Sequence, residues 1–170
     1  MDELLDLFLR EQLALRLERE LSNQMDDIIC EKVIPIAKKF SIASKDKKSP
    51  FRNVLAVATE PSSSLEVLKN YIRYQVGRKE SSPIWKNSKD NELFAKAVVD
   101  DLNNLSQDAR EIVERLRRAI PKGNSLAPYL EDHQNREKLE KNIHLKLAQL
   151  YLGYLAREHT ALVGESKPNQ

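Results

Sequence analysis

The sequence predicts an all-α protein, a single-domain helical bundle of about five to seven helices. Apolar residues recur at three- and four-residue intervals over most of the chain, which is the pattern of amphipathic helices. The 170 residues include only four glycines, and no stretch of useful length alternates apolar and polar residues as a half-buried strand does. A chain of this length usually forms one domain, so residues 1–170 are expected to fold as a single unit.

The first helix is expected to run from about Asp2 to beyond Glu31, because leucine, methionine and isoleucine recur there at helical spacing. Pro35 should kink or end this helix, since proline lacks an amide donor and clashes with the preceding turn. The apolar residues 28–36 are the one place where a short strand could form instead. Residues 41–50 are expected to form an exposed loop.

Two shorter helices are expected in the middle of the chain. The first begins near Pro50, a residue suited to the first turn of a helix, and continues through Thr59. The second begins at a capping box formed by Ser63 and Glu66 and ends at about Gly77. A long polar loop then leads to the C-terminal half.

Three further helices are expected in the C-terminal half. Asp90 is predicted to cap the first and Ser106 the second, and Pro121 ends the second. The last helix spans about residues 135–163 and is apolar almost all round, which predicts that it is central and the most buried. Residues 164–170 are expected to be a disordered tail.

Charge is strongly segregated along the chain, although the formal net charge is only +2. Residues 1–31 contain nine acidic and three basic residues, whereas residues 32–52 contain seven basic and one acidic. Residues 69–89 contain six basic and one acidic, and residues 90–114 contain seven acidic and two basic. A chain segregated in this way can fold into a particle with one positive face.

The residues that could carry chemistry do not form a catalytic pattern, so no enzymatic activity, cofactor or metal is expected. The sequence has no phosphate-binding loop, no dinucleotide-binding glycine motif and no serine elbow. Its three histidines lack the spacing of a zinc motif. Cys30 is expected to be a small buried apolar residue. The adjacent pairs Asp26–Asp27 and Asp100–Asp101 point in different directions on a helix and are expected to be solvated.

The N-terminal residues and the hydropathy of the chain predict a cytoplasmic protein. Acidic residues stand where a signal peptide needs basic ones. No apolar run approaches the about 18 residues that a membrane-spanning helix needs. The single cysteine fits a reducing compartment.

The segment Lys69–Lys89 gives the strongest indication of function. Tyr74 and Arg78 are four residues apart and share one face of a helix, with Arg73 in the adjacent row. A tyrosine can stack on bases, and arginine can donate two hydrogen bonds to a phosphate. Basic residues interleaved with aromatic ones therefore predict contact with a sugar-phosphate backbone. The alternative is that the aromatic residues, Trp85 among them, belong to the core and the basic ones only solubilise the chain.

The basic residues of two other segments complete the candidate nucleic-acid interface. The predicted contact residues are Lys38, Lys39, Lys45, Lys47, Lys48, Arg52, Lys69, Arg73, Tyr74, Arg78, Lys79, Lys86, Arg115, Arg117 and Arg118. The prediction requires that the basic loops meet in the folded protein. Binding is then expected to neutralise phosphates without reading bases.

The motif YIRYQVGR at residues 71–78, followed by a basic loop with Trp85, resembles the small helical subunits of CRISPR effector complexes. The similarity is greatest to the helical C-terminal region of the type I-D large subunit, which can be made as a separate small subunit. The resemblance implies a non-catalytic subunit that stacks in several copies and presents basic faces to the guide–target duplex or the displaced strand. It also implies crRNA, target nucleic acid, other copies of the chain, and the large and backbone subunits as partners.

The acidic residues 1–31 depart from a uniformly basic subunit. They are expected to form a protein-binding face, with the block Lys38–Arg52 of a neighbouring copy as one possible counterpart. A second interpretation of the whole sequence is a helical protein–protein adaptor with no nucleic-acid contact. Salt-dependent binding to single-stranded nucleic acid distinguishes the two.

Overall fold

The computed structural model describes residues 6–166, and these fold almost entirely into helices. The α-helices are α1 (Leu7–Ile28), α2 (Ile34–Lys39), α3 (Ile42–Lys45), α4 (Phe51–Thr59), α5 (Leu65–Gly77), α6 (Phe94–Ala119), α7 (Leu126–Glu131) and α8 (His133–Glu165). Strands β1 (Ser88–Lys89) and β2 (Glu92–Leu93) form a short antiparallel hairpin. The predicted all-α helical bundle is confirmed. Within the described part of the chain, every helix is too short or too polar to cross a membrane.

The first helix continues through Pro35 instead of ending there. A π-helical turn, Ile29–Val33, directly precedes α2, and the Ile34 amide donates to the carbonyl of Ile29. The wider turn accommodates a residue that has no amide donor and whose ring needs space. The helix ends only at Lys39, so the alternative in which Pro35 terminates it is wrong. Residues 28–36 are helical throughout, and the strand considered there does not form.

Helix α8 is the centre of the bundle, and every other α-helix contacts it. Leu147, Ala148, Leu152 and Leu155 are buried along its length. The predicted central position is confirmed. The expectation that this helix is the most buried is wrong, because α6 buries ten of its 26 residues and α8 buries nine of 33.

Both ends of α8 lie beyond the predicted range. Asp132 caps its start by accepting a hydrogen bond from the Asn135 amide at 2.9 Å. The helix continues to Glu165, so the predicted disordered tail begins too early. Residues 167–170 of that predicted tail lie outside the described residues.

Helix α6 replaces two predicted helices. Ser106 lies inside it and does not cap a second helix, because the buried apolar row passes from Leu105 to Ala109 without a break. Packing of such a row outweighs the weak helix propensity of serine. Asp90 is not the cap at its start. Asp90 and Asn91 instead form the turn of the hairpin, with φ of 52° and 63°, as a two-residue hairpin turn requires.

The other predicted helix ends differ less from the structure. Helix α5 is capped by Ser64, whose hydroxyl accepts from the Val67 amide at 3.2 Å. The predicted cap, Ser63, therefore lies one residue too early. The predicted ends of α4 at Thr59 and of α5 at Gly77 are confirmed.

Four aromatic residues join the loop after α5 to the bundle. Trp85 lies 5.6 Å from Phe51 and 5.7 Å from Phe94, centroid to centroid. Phe40 meets Phe94 edge-on at 5.4 Å. Such packing buries large apolar surfaces in a defined geometry. The cluster fixes one end of the polar loop between α5 and the hairpin.

Two leucine substitutions should show that burial, and not residue type alone, determines how much a leucine stabilises the fold. Leu152→Ala in α8 is expected to lower the free energy of unfolding by about 2–5 kcal/mol, because it leaves a cavity in a fully buried position. Leu15→Ala in α1, where the side chain is 68% exposed, should change it by less than about 0.5 kcal/mol. Urea unfolding followed by circular dichroism measures both. Equal effects would contradict the central position of α8.

Candidate nucleic-acid interface

Two basic loops that are distant in the sequence meet at one end of the bundle. The Ser82 hydroxyl donates to the Asp46 carboxylate at 2.7 Å. The carbonyl of Asp46 accepts from Nε2 of His159 in α8, also at 2.7 Å. Asp46 therefore links the loop after α3, the loop after α5 and the central helix. The condition that the two loops meet, on which the predicted interface depends, is fulfilled.

The meeting of these loops forms a surface that we call the loop patch. Its basic members are Lys45, Lys47, Lys48, Arg52, Arg78, Lys79 and Lys86. Residues 45–52 and 78–86 contain only two acidic residues, Asp46 and Glu80, against these seven basic ones. The carboxylate of Asp46 also accepts from Ser82 and from the Lys48 amide. The loop patch is thus a strongly positive surface on a defined framework.

The cations of the loop patch face solvent rather than carboxylates of the same chain. All are exposed except Arg78, which is half-buried. Lys86 donates to the carbonyl of Arg78 at 3.0 Å. Within residues 6–166, no member forms an ion pair. Their positive charge is therefore available to an anionic partner.

The aromatic residues of the predicted interface divide into two groups. Tyr74 is 59% exposed and lies one turn before Arg78, where it can stack on a base. Trp85 is only 1% exposed and belongs to the core. Tyr71 is half-buried and packs on that core. Of the aromatic residues in this segment, Tyr74 alone is exposed, and the interpretation of Trp85 as an interface residue is wrong.

Lys69 and Arg73 line a groove between α5 and α6. The groove has a volume of about 970 Å³. Lys69 is largely used within the fold, since its ammonium contacts the Glu66 carboxylate at 2.6 Å and the Asn103 side chain at 3.0 Å. Arg73 is exposed and pairs with no described carboxylate. Of the two, Arg73 is the one available to a ligand.

The two lysines of α2 also differ. Lys39 contacts the Glu92 carboxylate of the hairpin at 2.9 Å and lies over the Phe40 ring at 5.4 Å. Lys38 is exposed and forms no ion pair with a described residue. Lys39 thus holds the hairpin against α2, while Lys38 adds free positive charge.

The three candidate arginines of α6 are not brought to the loop patch. Ala95, near the start of α6, donates a backbone hydrogen bond to the carbonyl of Trp85 in the loop after α5. Arg115 lies 20 residues further along the same helix. At the rise of an α-helix, this separation is about 30 Å. The Arg115 guanidinium contacts Glu20 at 2.7 Å and Gln24 at 2.6 Å. It therefore serves to join α1 to α6.

The next two arginines of α6 also contact carboxylates of the chain. Arg117 donates two hydrogen bonds to Glu131 of α7, both at 3.0 Å. Arg118 lies 3.3 Å from Glu114. These contacts leave less free positive charge at this end of the molecule than at the loop patch.

A hydrogen-bonded pair of a buried tyrosine and a half-buried aspartate lies between α6 and α8. The Tyr151 hydroxyl donates to Asp101 at 2.7 Å. Burial raises the pKa of the Asp101 carboxyl, while the Tyr151 hydrogen bond and the charge of Lys32 oppose the increase. Burial also raises the pKa of the Tyr151 hydroxyl well above its usual value, and the Asp101 charge raises it further. The prediction that Asp101 is solvated is wrong.

Other residues that could carry chemistry are scattered. Cys30 is exposed, so its predicted burial is wrong. Among the described residues, no group of three or more histidine, cysteine, aspartate or glutamate side chains could hold a metal ion. His144 bonds to the Leu102 carbonyl at 2.7 Å, which joins α8 to α6.

Sequence reasoning missed the residues that assemble the loop patch. Asp46, Ser82 and His159 are separated by 36 and 77 positions, and none belongs to a recognisable motif. Their pairing follows only from the packing of α3 and the loop after α5 on α8.

Comparisons with known proteins give no match. No protein-family model matches the chain, and no curated protein or solved structure is significantly similar to it.

The half-buried Asp101 should make stability depend on pH. A raised pKa means that the folded state holds the proton more tightly than the unfolded state, so unfolding free energy falls as pH rises through that pKa. Asp101→Asn removes the charge and keeps an oxygen that accepts from Tyr151. We expect the variant to be at least as stable as the wild type at neutral pH, and its advantage to shrink towards about pH 4, near the ordinary aspartate pKa.

Urea unfolding at the two pH values measures this difference, and Asp100→Asn is the matched control. Asp100 pairs with Lys96 at the surface, where an ion pair contributes about 0–1 kcal/mol. If Asp101→Asn lowered the free energy of unfolding by the same amount at both pH values, the raised pKa of Asp101 would be contradicted.

Proposed function

We propose that this chain is a non-catalytic, cytoplasmic small subunit of an RNA-guided CRISPR effector complex. In this proposal it binds the backbone of the guide–target duplex or of the displaced strand through the loop patch. The observation that carries the proposal is the junction at Asp46, which brings two basic segments to one surface. The resemblance of residues 71–78 to such subunits supports the same role.

The composition of the loop patch favours backbone contact over sequence readout. Lysines dominate it, and they act on phosphates as point charges. Exposed loops can follow a strand whose bases vary, and Tyr74 offers a stacking surface that accepts any base. Affinity should therefore depend on salt much more than on sequence. Arg73 and Lys38 are exposed and pair with no described carboxylate, so they add positive charge outside the loops.

The N-terminal half of α1 supports a second contact, with protein. Leu7, Phe8 and Leu15 are 72%, 66% and 68% exposed, although they are large apolar residues. Glu11 and Glu18 lie on the same side of the helix, because they are spaced by four and three residues from Leu7 and Leu15. An exposed apolar surface of this kind is typical of a docking face. We propose that it holds the chain to another subunit or to a further copy.

Removing charge from the loop patch should weaken binding to all strands alike. Lys47→Ala with Lys79→Ala removes two exposed cations without touching a hydrogen bond of the fold. Each phosphate contact on a single strand contributes about 0.7 to the slope of log affinity against log salt, so the double variant should flatten that slope by about 1.4. Fluorescence anisotropy with oligonucleotides of several sequences, over a series of salt concentrations, measures the slope.

The matched control is the double variant Arg118→Ala with Lys122→Ala, which removes two cations at the other end of the molecule. It should leave the slope unchanged, because neither residue belongs to the loop patch. If the wild type shows no salt-dependent binding, or if both double variants have the wild-type slope, the protein-only adaptor becomes the better interpretation.

Charging the exposed face of α1 should prevent assembly. Leu7→Asp with Leu15→Asp places charge where the docking face is apolar, and should remove the chain from the complex that co-purifies with the wild type. Both positions are exposed, so folding should be kept. Ser22→Asp with Asn23→Asp adds the same charge at exposed positions further along α1 and is the control. Undiminished co-purification of the leucine variant, measured by quantitative mass spectrometry, would rule out this face.

A further inference from the structure

A polar cavity of about 310 Å³ opens within the loop patch. Lys48 and Arg78 lie on its wall together with the carboxylate residues Asp46 and Glu80, and Tyr71 supplies aromatic surface. The volume is at the lower end of the range for small-molecule sites, about 300–1,000 Å³. The cavity therefore combines two cations with two carboxylates and an aromatic side chain, in a size that suits one small aromatic group.

Gln75 is the unusual member of the cavity lining. The residue is only 4% exposed, and its side-chain nitrogen has no hydrogen-bond partner in the described part of the chain. The backbone carbonyl of Gln75 accepts from the Ser81 hydroxyl at 2.5 Å. A buried amide is normally hydrogen-bonded, and a rotation of this side chain towards the cavity would let its buried nitrogen pair with a ligand there.

The chemistry of the lining matches a nucleotide. A glutamine amide offers one donor and one acceptor side by side, which fits the N7 and N6 positions of adenine. Lys48 and Arg78 can hold the phosphate attached to such a base. Tyr71 provides apolar contact for the ring. The base and the phosphate of a nucleotide thus each have a counterpart in the cavity.

We infer that the cavity binds the base of one unstacked adenine nucleotide in a strand that the loop patch holds. This inference rests on the proposed function and refines it: backbone contact gives most of the affinity, and the cavity adds a preference at one position. A strand lying on Lys47 and Lys79 passes beside the cavity, because these residues flank Lys48 and Arg78 in the same loops. One base turned out of the strand could then enter.

The test compares oligo-adenine with the same strand made of 7-deazaadenine, bound to the purified full chain. The two strands have equal charge and retain base stacking, but 7-deazaadenine lacks the N7 acceptor. The wild type should bind oligo-adenine about tenfold more tightly, as one good bidentate pair provides. Gln75→Leu should abolish this preference and keep the salt dependence of binding. Gln107→Leu, on the exposed surface of α6, should retain the preference.

Asn53→Met serves as a second variant that does not disturb a buried position. Asn53 is exposed and lines the cavity, so a larger side chain there should block entry and also abolish the preference. Equal affinity of the wild type for both strands, or a preference that survives in both cavity variants, would overturn the inference while leaving the proposed function intact. Absence of salt-dependent binding to either strand would overturn both.

Titration with a mononucleotide distinguishes a cavity that binds one base of a strand from a cavity that binds a free nucleotide. Adenosine monophosphate and inorganic phosphate are titrated against the wild type and Gln75→Leu by calorimetry. The inference expects the monophosphate to bind more weakly than the strand and to compete with it. Tight binding of adenosine monophosphate that Gln75→Leu abolishes, without competition by the strand, would instead assign the cavity to a free nucleotide and overturn the inference.

Discussion

The hydrogen bonds of Asp46 are the constraint on which the proposed interface depends. Its carboxylate accepts from Ser82 and its carbonyl accepts from His159, so one residue joins two loops to the central helix. Without this junction, the loops after α3 and α5 would carry their lysines independently. The His159 side chain is buried, and this hydrogen bond gives its Nε2 atom a partner.

The loop patch and the α1 face put two kinds of contact on different parts of one small chain. The patch has cations that are not paired with described carboxylates, whereas the arginines near the end of α6 are occupied by Glu20, Glu114 and Glu131. Charge that is already paired adds little to an association, because a partner must first compete for it. This difference in pairing, rather than the number of basic residues, distinguishes the loop patch from the other basic segments.

The fold was largely predictable from the sequence, and the exceptions have identifiable causes. Periodicity located the helices, because burial of one face imposes a regular spacing of apolar residues. Local signals failed where packing outweighed them. Serine at 106 and proline at 35 both suggested helix boundaries, yet the helices continue through both positions. The hairpin turn at Asp90 was missed because aspartate and asparagine favour helix caps as well as hairpin turns. In the structure, Asp90 and Asn91 adopt the positive φ angles of a hairpin turn.

The sequence by itself determined the helical class, the segregation of charge and the basic segments that form the candidate interface. These depend on composition and short-range spacing. The tertiary structure alone decided which basic residues share a surface, that Trp85 belongs to the core, and that Gln75 lines a cavity with its side-chain nitrogen unpaired among the described residues. The physical reason is that such properties arise from contacts between residues tens of positions apart, and local periodicity carries no information about them.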